Sequence, residues 1–208
     1  MSAAFDTIDH KLLITRLESL YGISGTALSW FLSYLTARTQ AVTIGDYQSQ
    51  TSPLSCGVPQ GSVLGPVLFI LYTKPISDLI RSHSVESQLY ADDIQFQVSS
   101  SPENMSNAIK SAENCISDIM SWMLANKLKL NNDKTEALCM YSSFKSFPVS
   151  KPASVSVYGH DVSFSSSARN LGFYMTENMN VELHVKNICR SAFLELRRRL
   201  ACKAPRIP

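Results

Sequence analysis

A chain of 208 residues that is 45% hydrophobic and 17% charged, with a formal charge of +2, can bury a core, which excludes wholesale disorder and fibrous or collagenous structure. Its longest nearly apolar stretch, Val63 to Tyr72, contains Gly65 and Pro66 and is far shorter than the roughly 20 residues a membrane crossing requires, so no membrane partner is expected. Charge is unevenly placed: from Lys186 to Pro208 seven basic residues stand against one acid, Glu195, a local +6 that leaves −4 on the remainder.

One domain is the default for this length. The N-terminus has neither a basic n-region nor an apolar h-region, so a cytosolic or nuclear protein is expected rather than a secreted one. Cysteines 56, 115, 139, 189 and 202 are odd in number, widely spaced and free of C-x-x-C or histidine pairing, which signals neither a disulfide framework nor a zinc site. They are expected to be reduced and mostly buried.

In chain order, Leu12, Leu13, Leu17 and Leu20 follow helical spacing, and a second apolar run from Ala27 through Trp30, Phe31, Tyr34 and Leu35 gives another short helix. Ala41–Ile44, then Gly45-Asp46, then a polar stretch to Leu54 predicts a hairpin. Gly57-Val-Pro-Gln-Gly61 is a loop, followed by a helix over Val63 to Ile80 that Pro75 should bend or end. Ser87–Ala91 and Ile94–Val98 alternate apolar and polar residues on either side of Asp92-Asp93, which predicts a strand, a two-residue turn and a strand. After Ser101-Pro102, apolar residues at 105, 108, 109, 112, 116, 119, 120 and 123 mark an amphipathic helix. Strands are expected over Thr135–Tyr141, Ser154–Tyr158 and Asn170–Met175, with loops over 142–153 and 163–167. A last helix puts Val181, Val185, Ile188, Ala192 and Leu196 on one face and ends in Arg197, Arg198 and Arg199, which either meet phosphates or complement the helix dipole. Intermixed helices and antiparallel strand pairs without a βαβ rhythm predict an α+β domain with helices on one face of a sheet.

Two adjacent carboxylates on a tight turn present oxygen ligands together, as a hard divalent cation requires. Aspartates are also ordinary turn formers, so the surrounding residues decide. Ser2-Ala-Ala-Phe-Asp-Thr-Ile-Asp-His10, Gly57-Val-Pro-Gln-Gly-Ser-Val-Leu-Gly-Pro66 and Tyr90-Ala-Asp-Asp93 resemble, in order, the first three palm motifs of the reverse transcriptases of non-LTR (LINE-type) retrotransposons. Trp122 with Lys127–Glu136 is similar to the fourth motif, Asn170-Leu-Gly-Phe173 to the primer grip, and the final helix to the start of the thumb.

The resemblance implies a polymerase palm with helices packed on an antiparallel sheet over residues 1–165, and a primer-grip strand with the start of a helical thumb over 166–208. It implies RNA-directed DNA polymerisation with Mg²⁺, an RNA template and a DNA primer. Metal ions that stabilise the attacking and leaving oxygens of nucleotidyl transfer demand clustered carboxylates. Asp92 is the candidate metal ligand, and Asp93 either ligates or tunes the charge. Gln60 and Gly61 are placed at the nucleotide. Phe5 corresponds to the family position under the incoming sugar, or else is an ordinary core aromatic. Lys134 corresponds to the fourth motif's lysine, suited to assist departing pyrophosphate, or else is a solvated loop lysine.

The family's first metal-binding aspartate would precede Met1, and the fingers, most of the thumb and an endonuclease domain lie outside the sequence. Asp6 is expected to cap the helix beginning near His10 rather than to replace that aspartate. As a palm truncated at both ends, the chain is expected to hold Mg²⁺ weakly and not to extend primers. A non-catalytic nucleic-acid-binding module, or a gene fragment without selected function, is the alternative.

Overall fold

The computed structural model describes residues 5–59, 61–83, 85–131, 134–142, 153–157 and 159–203, which fall into two units, 1–133 and 134–208. The first helix, α1 (His10–Ser19), starts where Asp9 leaves extended backbone and its carboxylate accepts the Leu12 amide at 3.0 Å. The cap is therefore Asp9, not Asp6: only a side chain directly before the first turn reaches that turn's unpaired N–H groups. Helix α2 (Gly25–Leu35) follows, and Gly45-Asp46 closes a hairpin of short ladders, β1 (Thr39–Gln40) with β4 (Ser52–Pro53) and β2 (Thr43–Ile44) with β3 (Tyr47–Gln48).

Helix α3 (Leu64–Ser82) contains Pro75 and does not end there. A proline there deprives the Leu71 carbonyl of its helical donor, and the Tyr21 hydroxyl fills the vacancy at 2.9 Å. Arg16 of α1 donates to the next carbonyl, that of Tyr72, and to the Asn126 side-chain oxygen. Its guanidinium lies 4.5 Å from the Tyr72 ring centroid and 5.1 Å from that of Trp122. Burial holds the guanidinium below its ordinary range and pushes the Tyr72 phenol up. The Tyr72 hydroxyl in turn donates to the Asn126 carbonyl at 2.6 Å.

A 3-10 turn at Pro102–Asn104 leads into α4 (Met105–Ala125), where Ile116, Ile119, Met120 and Met123 of the expected stripe are buried, Met105, Ala108, Ile109 and Ala112 are half-buried, and Cys115 is buried beside them. Leu13, Leu17, Leu35, Leu68, Phe69, Tyr72, Ile76, Ile80, Ile119 and Met123 form the core of this unit.

The second unit holds β7 (Ala137–Leu138), β8 (Ser154–Val157), β9 (His160–Ser165), β10 (Ser167–Asn170), β11 (Phe173–Thr176) and α5 (Glu182–Lys203). β9 pairs antiparallel with β8 and parallel with β7. Serine-rich 163–167, expected to be a loop, lies largely in β9 and β10, where ladder pairing overrides a weak local preference. Asn170–Met175 is not one strand either: Leu171 (φ +46°) and Gly172 (φ +88°) turn the chain between β10 and β11.

The chain is thus α+β, but its strands form small separate sheets, mostly antiparallel, rather than one sheet floor. Among the described residues no helix is long and apolar enough to cross a membrane. Among the cysteines whose side chains are described, Cys115 and Cys139 are buried and Cys56 and Cys189 exposed, so they are not mostly buried as expected.

Candidate functional site

The segment before α1 and the loop before α3 are stitched together backbone to backbone. The Gly57 amide donates to the Ile8 carbonyl and the Val58 amide to the Phe5 carbonyl, both at 2.8 Å, and Asp9 bridges Cys56 in antiparallel fashion. The His10 ring adds a third tie: Nε2 donates to the Gly57 carbonyl at 2.7 Å, which fixes the tautomer because a carbonyl can only accept.

Glycine at 57 is required twice over. Its φ is +85°, and a Cβ built there would stand 2.9 Å from the Asp6 carbonyl oxygen. Gly61, at φ +76°, has open space around its Cα. Ser62 closes the loop onto α3, donating to the Pro59 carbonyl at 2.7 Å and accepting the Gly65 amide at 3.0 Å. Gln60 lies outside the described residues. Phe5 is half-buried, its ring centroid 4.9 Å from that of Phe69, so it packs on the core edge beside the loop.

The carboxylate pair stands on the hairpin of β5 (Glu86–Tyr90) and β6 (Asp93–Gln97). The two-residue loop is Ala91-Asp92, one position earlier than expected, because Asp93 pairs with Tyr90. Ala91 takes φ +50°, a left-handed conformation that the tight turn imposes on an unfavourable residue. Asp92 is half-buried and Asp93 exposed. Ile94 and Phe96 anchor β6 on the same core that Phe5 joins, so the hairpin and the stitched loop are supported by one set of apolar side chains.

Lys134 belongs to the second unit and is exposed. The Leu171-Gly172 turn lies in that unit too, where the Phe173 ring meets the His184 ring of α5 at 4.2 Å. The structure therefore brings Phe5 and the Gly57 loop into contact, and the hairpin that carries Asp92 and Asp93 packs on the same core through Ile94 and Phe96. Sequence reasoning missed two groups: His10, whose partner is 47 residues away, and Arg16, whose ring partners come from two other helices. No local spacing announces either.

The family described as "Reverse transcriptase (RNA-dependent DNA polymerase)" matches residues 1–175. Among curated proteins, the chain is similar to the "Probable RNA-directed DNA polymerase from transposon BS" of Drosophila melanogaster, with 28% identity over 93% of this chain and 21% of that protein. It is also similar to the "RNA-directed DNA polymerase from mobile element jockey" of the same organism, with 25% identity over 98% of this chain and 22% of that protein. The "Probable RNA-directed DNA polymerase from transposon X-element" is 27% identical over 89% of this chain and 20% of its own length. The chain spans about a fifth of the length of these relatives.

Proposed function

The chain belongs to the reverse transcriptase family, in keeping with its resemblance to the non-LTR retrotransposon polymerases, and we propose that it is the palm of an RNA-directed DNA polymerase, with α5 the start of a thumb. The protein that carries it copies an RNA template onto a DNA primer by nucleotidyl transfer. The single observation that supports this reading is the Ala91-Asp92 turn, because it puts two adjacent acids at the tip of a hairpin whose Ile94 and Phe96 pack on the core.

In this reading Asp92 ligates Mg²⁺ and Asp93 assists it. Bound metal would neutralise charge developing on the phosphoryl oxygens. Donor chemistry fits, since Mg²⁺ takes one or two carboxylates and completes its shell with water and phosphate. Among the described residues no group of three histidine, cysteine or acidic side chains gathers as a ready-made metal cage, so the pair acts as part of a site that substrate completes. Phe5, on the core edge beside the loop, would face the incoming sugar, and a rigid ring there would crowd a ribose 2′-hydroxyl. Gly61 lets backbone approach the nucleotide and Gln60 contributes an amide.

The test is Mg²⁺ titration of the 208-residue chain followed by backbone amide NMR. Shifts should centre on residues 90–94, saturate weakly, sharpen when a nucleoside triphosphate is added, and vanish in Asp92→Asn. A response elsewhere, or one indifferent to Asp92→Asn, defeats the assignment. Sub-micromolar affinity would mean that a further acid completes the site. Primer extension with Asp92→Ala as control should give equal background for both, because a carboxylate pair alone lacks transition-state stabilisation of several kcal/mol.

A further inference from the structure

Helix α2 buries only Leu35 fully and carries an aromatic ladder that runs from Tyr34, half-buried against the core, out to Trp30 at the surface. The Trp30 and Tyr34 rings stack with centroids 5.5 Å apart and an interplanar angle of 11°. Arg38, three residues past the helix end, lays its guanidinium 5.8 Å from the Tyr34 centroid and extends the stack. Trp30 is 51% exposed, so the ladder ends in an open indole.

Near-parallel stacking of side chains at i and i+4 is sterically available to any aromatic pair on a helix, but two further facts give this one a direction. The guanidinium has no carboxylate within ion-pair distance among the described residues, and from Tyr21 to Gly57 the only acid in the sequence is Asp46. The adjoining hairpin adds Tyr47, 84% exposed, among Gln40, Gln48 and Gln50. An aliphatic protein surface laid on this face would desolvate a guanidinium and offer it no anion. A planar, negatively tethered ligand satisfies both ends: bases stack on rings, and phosphate meets the cation.

We propose that Trp30, Tyr34 and Arg38 form a stacking site for single-stranded RNA, with the Trp30 indole as platform for one base and Arg38 paired with a neighbouring phosphate. None of these three residues belongs to the Asp92 hairpin. The inference rests on the polymerase reading for the RNA itself, since stacking accepts any base.

A fluorescein-labelled oligouridine titrated into the 208-residue chain, read by anisotropy, tests it. Trp30→Leu keeps apolar bulk but removes the ring and should weaken binding about tenfold, whereas Trp30→Tyr should retain most of the affinity. Arg38→Ala should flatten the salt dependence by roughly one phosphate contact. Indole emission of the unsubstituted chain should be quenched by RNA, and that quenching should be lost in Trp30→Tyr while binding persists, a readout that a folding defect in the leucine variant does not touch. The proposal is overturned by absence of RNA binding, by equal binding of Trp30→Leu, or by duplex RNA competing as well as single strands. Because the Mg²⁺ response at Asp92 is measured without RNA, failure here leaves the polymerase reading to stand or fall by its own test.

Discussion

Tyr21 donates its hydroxyl to the Leu71 carbonyl at 2.9 Å, the carbonyl that Pro75 leaves without a helical donor. A break in one helix is thus mended by a side chain that lies just past the end of another. An unmet buried carbonyl costs about 1–3 kcal/mol and this one is partly buried, so Tyr21→Phe should destabilise the chain by about 1 kcal/mol. In a Pro75→Ala background the residue 75 amide becomes available, and the same substitution should cost distinctly less. Urea unfolding of the two single variants and the double variant measures the coupling, and an additive result would refute the relationship.

Arg16 makes a second prediction. Its planar fork reaches the Tyr72 carbonyl and Asn126 while its faces lie against Tyr72 and Trp122. Lysine keeps the charge but can neither fork nor stack, so Arg16→Lys should cost about 2 kcal/mol despite its conservative look. Denaturant unfolding followed by tryptophan emission provides the measurement, with an unchanged midpoint counting against the clasp.

These two contacts also mark where the sequence stops being legible. The α4 stripe and the hairpin around Asp92 could be read because each depends on periodicity or turn chemistry within a few residues. Pro75 reads locally as a helix stop, and only Tyr21, 50 positions away along the chain from Leu71, explains why it is not one. The Asp92 turn was displaced by one residue because its loop uses Ala91 in a left-handed conformation that alanine rarely adopts. Leu171 hid the turn between β10 and β11 for the same reason, since a leucine beside glycine continues a strand pattern on paper. Motif order located the Phe5 segment and the Gly57 loop, but their stitching by main-chain atoms has no side-chain signature.

At the start of α1 the distinction between neighbouring acids is measurable. Asp9 accepts the Leu12 amide, so Asp9→Ala should lose about 1 kcal/mol, while Asp9→Asn, which keeps a capping oxygen, should lose only a few tenths. Thermal unfolding of the pair separates capping from charge. Equal losses would mean that the negative charge near the helix N-terminus, rather than the hydrogen bond, is what matters there.

Gly57 and Gly61 form a matched pair at the two ends of the loop before α3. Both take positive φ, +85° and +76°, so alanine at either carries the left-handed penalty of about 1 kcal/mol. They differ in space: around Gly61 nothing lies within 4 Å of an added Cβ, whereas at Gly57 the Asp6 carbonyl oxygen stands 2.9 Å away. That oxygen is backbone and cannot rotate aside, so accommodation must spread the Phe5–His10 segment from the loop and strain the Gly57–Ile8 and His10–Gly57 hydrogen bonds. Gly57→Ala should therefore cost about 3 kcal/mol, adding an overpacking penalty to the conformational one. Hydrogen exchange gives the site-specific readout: the Gly61→Ala chain should keep the Val58 amide protected, and the Gly57→Ala chain should expose it. Comparable protection in both would show that the loop does not depend on close approach to Asp6.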